Sequence, residues 1–191
     1  MEASNFREVL RASLVQDPAV EPPPGDRLAA VLVPLLDGPE PSVLFTKRTE
    51  ELSRHPGEVS FPGGILHDDD PSLMHAALRE TEEELGISPN DVEVLGALAP
   101  VHTHVSGILV TPFVGVLRGR PAITPNETEI AAVLEVPVMR LVEIENEVEM
   151  EGRGERFTTY AYEAGGHTIW GATGHILHDF VEIVRRVRPW G

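Results

Sequence analysis

The sequence predicts one α/β domain, and three observations carry that expectation. Apolar runs of strand length, Arg27–Leu36, 42–47 and Ile108–Leu117, are bounded by Gly- and Pro-containing turns. The stretch 71–85 repeats its apolar residues at helical spacing, and so does 173–187. At 191 residues, of which 41% are hydrophobic, the chain is long enough for one well-packed domain with a short extension. Residues 1–26 form that extension and 27–191 the domain, with no internal repeat.

In order, residues 3–15 read as a short amphipathic helix through Phe6, Val9, Leu10 and Leu14. The Pro-rich segment 16–26 reads as a linker. Arg27–Leu36 is nearly all apolar, as a strand buried on both faces would be. Asp37-Gly38-Pro39 is turn chemistry, so 42–47 is a second strand antiparallel to the first. A polar loop then runs from Arg48 to Gly64, with a short strand at 59–61. After the helix, 91–98 reads as a strand and 99–107 as a loop. That loop carries His102 and His104, which flank a pocket in preference to binding metal, because no third nitrogen ligand is near. Pro112 inside Ile108–Leu117 places that strand at a sheet edge or gives it a bulge. Residues 119–126 form a turn-rich loop, 129–138 another buried strand, and 139–151 an acidic segment that begins as a short helix. A hairpin follows, 156–162 and 167–170 about Gly165-Gly166, and the last helix carries Ile176, Leu177, Phe180 and Val184 on one stripe.

The stretch 63–87 bears the chemistry. Asp70 suits the N-cap of its helix, Pro71 the first helical position and Gly86 the C-terminal cap. Met74, Ala77, Leu78, Thr81 and Leu85 form a stripe that faces a core, and Glu80, Glu83 and Glu84 lie on its edge. Glu80 and Glu84 are one turn apart and repel, and the helix dipole disfavours anions in its last turns. A divalent cation reverses both penalties, and hard carboxylate oxygens suit Mg²⁺ or Mn²⁺. Arg79, four residues before Glu83, is placed to hold that carboxylate. Taken alone, a run of Glu on a helix is more often a solvated face.

Bulk composition narrows the function. The net charge of −16 opposes binding to nucleic-acid backbones or anionic membranes, so a phosphate-ester substrate needs local cations. Without cysteine there is no disulfide, thiolate metal site or thiol nucleophile, which is compatible with a cytoplasmic protein. No apolar run reaches membrane-span length, and the N-terminus lacks the basic and apolar regions of a signal peptide.

Arg79-Glu80-Thr81-Glu82-Glu83-Glu84-Leu85-Gly86-Ile87 resembles the second half of the signature of the Nudix hydrolases, REUxEExGU, with Thr81 where the first apolar residue belongs. The first half departs: Gly64 to Arg79 is one residue longer than usual, and Asp70 (or Asp68) stands in place of the first Glu. Upstream, 44–64 resembles the motif of the coenzyme A diphosphatase subfamily, LxxRSxxLxxHxGQVxFPGG. Leu44, Arg48, Leu52, His55, Gly57, Val59, Phe61, Pro62, Gly63 and Gly64 match, while Thr49 replaces Ser and Glu58 replaces Gln. The extra loop residue is usual in this subfamily, and the stretch from Ile169 to Thr173 is similar to it as well.

The resemblance implies a Nudix α/β/α sandwich with a mixed β-sheet. It also implies metal-dependent hydrolysis of coenzyme A, or its thioesters, to 3′,5′-ADP and 4′-phosphopantetheine. Glu80, Glu83 and Glu84 are then metal ligands for Mg²⁺ or Mn²⁺, and Glu83 or Glu80 the base. Arg79 orients Glu83; Arg48, Arg54 and His55, with Gly63 and Gly64, hold substrate. Glu129 is a further candidate carboxylate from outside the box, set against its reading as a solvated loop residue. The partner is a small-molecule nucleotide, not nucleic acid or membrane, and a homodimer is left open. Two alternatives stand beside this: a Nudix pyrophosphatase of another nucleotide such as ADP-ribose, with Glu58 marking the shift, and a non-catalytic Nudix-fold nucleotide sensor.

Overall fold

The computed structural model describes residues 3–51, 56–103, 107–152 and 155–187. Helix α1 (Ala3–Ser13) precedes the strands β1 (Arg27–Leu36), β2 (Ser42–Arg48), β3 (Val59–Ser60) and β4 (Gly63–Ile65), and then helix α2 (Leu73–Leu85). Strands β5 (Val92–Ala97), β6 (Val101–Thr103), β7 (Ile108–Leu117) and β8 (Ile130–Pro137) lead into helix α3 (Val138–Ile144). Strands β9 (Glu145–Gly152), β10 (Glu155–Ala164) and β11 (His167–Ile169) come before helix α4 (Gly171–Val187).

The near-continuous apolar run of β1 is explained by its place at the centre of a mixed sheet. It pairs in parallel with β7 over its whole length, from Arg27↔Ile108 to Leu36↔Leu117. Its other side is shared between β4, at Ala29–Val31, and β2, at Leu35 and Leu36, both antiparallel. Ala30, Leu32 and Leu36 face α2, where they meet Ala76, Ala77 and Leu85. Ala29, Val33 and Leu35 face the opposite layer, built from Leu177, Phe180, Val181 and Val184 of α4. The result is the α/β/α sandwich with a mixed sheet that the resemblance implied. A second sheet, in the order β11-β10-β9, lies on the α4 side. Gly174 lets α4 approach it, since a Cβ there would stand 2.3 Å from the Tyr160 carbonyl oxygen.

The N-terminal helix is part of the packed body. Phe6, Leu10 and Leu14 are buried in the α4-side core, each worth ~1.5–3 kcal/mol against exposure. Arg7 and Arg11 bond the carboxylate of Glu93, and Arg7 also pairs with Asp37. Among the described residues no helix is long and apolar enough to cross a membrane.

Several expectations need correction. Helix α2 begins at Leu73 and is capped by Ser72, whose side chain accepts from the His75 N–H; neither Asp70 nor Pro71 lies in it. Its buried face comprises Ala76, Ala77, Thr81, Glu84 and Leu85, with Met74 and Leu78 only partly covered. Strand β7 is central, not an edge, and it carries no bulge at Pro112. Pro112 is tolerated because its neighbours divide there: β5 pairs up to Phe113 and β6 begins at Val110, so no ladder bond awaits the missing N–H. The bulge sits instead in β5, between Val94 and Gly96. Strand β8 pairs only with β2 among the described residues and is half-exposed, with Ala131 and Glu135 in solvent, so it is not a buried strand. Strands β4, β6 and β9 form where a turn, a loop and an acidic helix-led segment were expected.

Candidate functional site

The site is built where β4 crosses beneath α2. Phe61 is buried and stacks on Phe45 at 4.9 Å between ring centroids. The Pro62 carbonyl accepts from the Leu32 N–H at 2.9 Å. These anchors press Gly63 and Gly64 against β1, opposite Val31 and Ala30. A Cβ on Gly63 would lie 2.3 Å from the Ala30 carbonyl oxygen, and one on Gly64 would lie 2.4 Å from Glu80 Oε1. Glycine at both positions therefore lets the backbone reach the carboxylate of Glu80.

Arg79 organises the outer side. Its Nε and Nη2 each donate to Asp70 at 2.9 Å, a bidentate grip. Its Nη1 donates to Glu80 at 2.9 Å and to Glu83 at 3.3 Å. The His67 N–H also donates to Asp70. Arg79 holds the Asp70 carboxyl at about 2, against an ordinary 3.8, by direct hydrogen bonds reinforced by its charge. Asp70 thus anchors Arg79 instead of capping the helix.

Glu84 is the inner group. Its side chain is buried, and its Oε2 has no hydrogen-bond partner. Burial first, and then the charge of Glu80 with a smaller contribution from Glu129, pushes its carboxyl up to about 8. Arg48 and the Gly63 backbone amide draw it back. Arg48 stands at the end of β2, and its Nε is likewise buried without a partner. An unsatisfied carboxylate oxygen and an unsatisfied guanidinium N–H in one buried site are each costly without a further group to bind.

Glu129 reaches this site through a segment that the sequence marked only as a turn. The Asn126 and Thr124 N–H groups donate to the Glu84 and Leu85 carbonyls at 2.9 and 2.8 Å, closing the C-terminal end of α2. The Asn126 side chain accepts from Thr128 and donates to Glu129. Asn126 followed at two residues by Thr128 is an Asx-turn signal that was available in the sequence. The Glu129 carbonyl in turn accepts from the Thr49 N–H at 2.8 Å, so it sits next to the end of β2.

Of the residues singled out in the sequence, Glu80, Glu84, Arg48, Gly63 and Glu129 come together around the buried carboxylate, and Gly64 lies against Glu80. Glu83 points away: its side chain is 59% exposed and bonded to Arg79. Arg54, His55 and His104 lie outside the described residues. His102 pairs with Asp26 on the far side of β7, apart from the carboxylates.

Among the described residues no three acidic or imidazole groups already converge on one coordination point. The donors nevertheless fit a hard divalent cation: carboxylate oxygens only, one of them orphaned and buried, repelled by two like charges that a cation would neutralise. Glu84 and Glu80, with Glu129 beside them, are the residues that would hold it.

The NUDIX domain family matches residues 26–159. The chain is 38% identical over 172 residues to a protein of Photorhabdus laumondii described as uncharacterized Nudix hydrolase NudL, covering 86% of this chain and 91% of that one. It is 37% identical over 155 residues to the protein of the same description from Escherichia coli O7:K1, covering 80% of each. The NUDIX domain of Shewanella oneidensis NrtR, solved in complex with ADP ribose, shares the fold with a TM-score of 0.55 at 15% identity over 97% of both chains. A MutT/nudix family protein from Enterococcus faecalis does so with a TM-score of 0.54 at 14% identity, over 98% of this chain and 74% of that one.

Proposed function

Since this chain belongs to the NUDIX domain family and is a Nudix hydrolase acting on pyrophosphate bonds, we propose that its substrate is coenzyme A or a thioester of it, cleaved in the cytoplasm to 3′,5′-ADP and 4′-phosphopantetheine. The observation that carries this reading is the meeting of two segments at one buried point. Arg48, from the stretch that resembles the coenzyme A subfamily, is near enough to Glu84 from the box for its charge to lower that carboxyl, and each has an unsatisfied polar atom.

In this reading Arg48 binds a phosphate oxygen of the diphosphate with its guanidinium fork. Arg54 and His55 are further phosphate ligands by the resemblance. Gly63 and Gly64 keep the loop thin enough for the diphosphate to lie against Glu80. Nudix hydrolases generally use divalent metal ions, and a bound Mg²⁺ or Mn²⁺ supplies positive charge to the diphosphate and acidifies water. Glu84, buried and aimed at the site, would be the principal ligand, with Glu80 second and Glu129 completing the set, while Glu83, the third ligand that the resemblance implies, is turned to solvent on Arg79. The proton of the attacking water passes to Glu83 or Glu80, the two carboxylates that Arg79 orients. The water oxygen bonds to one phosphorus as the bridging P–O bond breaks, and Arg48 meets charge on the departing phosphate.

Purified protein with coenzyme A and Mg²⁺ or Mn²⁺ is expected to release 3′,5′-ADP, read by chromatography. Glu84→Gln is expected to lower that release by ~100-fold or more. Intact coenzyme A with cleavage of ADP-ribose or another nucleotide moves the substrate to that class. No cleavage across a broad diphosphate panel favours a nucleotide sensor.

A further inference from the structure

The turn that leads into β8 carries more hydrogen bonds than a turn needs. Every polar group of Asn126 is engaged. Its N–H donates to the Glu84 carbonyl at 2.9 Å, and its own carbonyl accepts from the Glu129 and Ile130 N–H groups at 2.9 and 2.8 Å. Its side-chain Oδ1 accepts from the Thr128 N–H at 3.2 Å and from the Thr128 hydroxyl at 2.7 Å. A backbone N–H can only donate, so the amide has one orientation, and Nδ2 is the group that donates to Glu129 Oε1 at 3.4 Å.

The turn itself requires only the acceptor, which aspartate, serine or threonine would supply as well. What asparagine adds is a donor, and that donor is directed at the Glu129 carboxylate. Other forces act to turn this carboxylate outward. It is near enough to Glu84 for its charge to raise that buried carboxyl, and Glu80 acts on Glu84 in the same sense. Repulsion of this kind drives a flexible acidic side chain toward solvent. Glu127, in the same turn, is exposed, whereas Glu129 is half-buried. The turn is also held from the β2 side. The Thr49 N–H donates to the Glu129 carbonyl at 2.8 Å, and the Thr49 hydroxyl to the Thr128 carbonyl at 3.4 Å. The backbone of Glu129 is thus fixed from two elements, and Asn126 fixes its carboxylate.

We propose that Asn126 is a positioning residue of the cation site: its Nδ2 keeps the Glu129 carboxylate at the end of α2 that carries Glu84, so that both are available to one divalent cation. The inference rests on the reading in which Glu84, Glu80 and Glu129 hold that cation, and on no particular nucleotide. Asn126 touches neither cation nor substrate and acts through Glu129.

A double-mutant cycle on Mn²⁺ binding tests this, using the metal-free full chain and the electron paramagnetic resonance signal of free Mn²⁺ as the readout. Asn126→Ser keeps the turn acceptor and removes the donor, and is expected to weaken Mn²⁺ binding by ~10-fold. Glu129→Ala is expected to weaken it at least as much, and adding Asn126→Ser to Glu129→Ala to change it by less than ~2-fold. Thr128→Ala loosens the turn without removing the donor and is expected to stay within ~2-fold of wild type. Asn126→Thr replaces the serine variant in the cycle if serine lowers the metal-free melting temperature. Losses that multiply in the double variant overturn the proposal, as does binding within ~2-fold of wild type in Asn126→Ser or Glu129→Ala. A loss in Thr128→Ala as large as in Asn126→Ser assigns the effect to the turn and overturns it too. In each of these cases the wild type still binds Mn²⁺ and the cation reading stands. A wild type that binds no Mn²⁺ overturns that reading and the proposal with it.

Discussion

Asp70 and Arg79 meet fork to fork, Oδ1 to Nε and Oδ2 to Nη2, both at 2.9 Å. The remaining guanidinium nitrogen, Nη1, reaches Glu80 and Glu83. The loop that precedes α2 and the carboxylates within it are thus tied through one side chain.

Acid stability should report on this pair. The Asp70 carboxyl sits at about 2 in the folded protein and at 3.8 ordinarily. A folded value below the unfolded one means that the unfolded chain binds more protons, so the contribution is complete above the unfolded value and is lost as pH falls toward about 2. Urea unfolding of wild type and Asp70→Asn is expected to differ by ~1–2 kcal/mol above pH ~5, with the gap closing toward pH ~2. A gap of constant size down to the lowest pH counts against the pair.

Glu84→Gln is expected to cost activity and to add stability. The buried carboxylate has an orphan oxygen and two acidic neighbours, so a neutral isostere removes repulsion from the metal-free protein. At pH ~8 without metal the variant should melt higher than wild type by several degrees, for a gain of ~1–2 kcal/mol. Adding Mn²⁺ should raise the melting temperature of wild type and leave the variant unmoved. A variant that melts below wild type under metal-free conditions removes the basis for this expectation.

The two glycines of β4 should separate function from folding. The nearest atoms to a Cβ on Gly64 are those of the Glu80 carboxylate, a side-chain end that can shift, so Gly64→Ala keeps the fold while hydrolysis drops ~10–100-fold through displacement of that carboxylate. A Cβ on Gly63 meets the Ala30 carbonyl oxygen and Val31 Cα, backbone atoms of the central strand that cannot yield. Gly63→Ala should therefore lose ~1–3 kcal/mol or more in thermal unfolding. Equal melting temperatures for the two variants would contradict this division.

On the α4 side, Glu145 accepts from the Tyr162 hydroxyl, from His178 Nδ1 at 3.2 Å and from Arg185 Nη1 at 2.7 Å. The ring of Tyr160 stacks on His178 at 3.6 Å. Although burial raises the Glu145 carboxyl, the Tyr162 and Arg185 hydrogen bonds outweigh it and leave the group below its usual range. Glu145→Ala strands these donors and should destabilise by ~2–4 kcal/mol, less than a fully buried pair because Arg185 is 33% exposed. Because the cluster lies across the sheet from α2, kcat of the folded variant should stay near that of wild type. A large fall in kcat without loss of stability would show that the cluster acts on the site.

Most of the helices and strands were legible because their signals are local. The periodicity of 173–187 and the apolar run of β1 each require only neighbours in sequence. Gly86 caps α2 with φ at 68°, as its place after an apolar-periodic stretch predicts. Pro112 misled because its cost depends on which strands lie beside β7, and only the division between β5 and β6 removes that cost. Strand β9 was missed because only Val148 and Met150 alternate with its glutamates, too short an apolar pattern to mark a strand. Its pairing with β10 holds it, and one of those glutamates, Glu145, is turned into a buried network.

The amino-acid sequence by itself determined the chemistry available to this protein: a cluster of glutamates on one helix, an arginine beside them, a glycine pair before them and no thiol anywhere. These follow from residue type and spacing. Which of those groups become the inner shell was decided by tertiary structure. Glu84 and Glu83 are adjacent in the chain, yet one is buried with an unsatisfied oxygen and the other lies in solvent on Arg79. Consecutive helical residues point about 100° apart, and only the packing of α2 on β1 and β4 selects which of those directions is the interior. Glu129 and Arg48 join Glu84 because β2 and β8 pair side by side, and the closure of α2 by Thr124 and Asn126 brings that edge to the helix end. Contacts across so many residues depend on closing the sheet, and no local pattern encodes them.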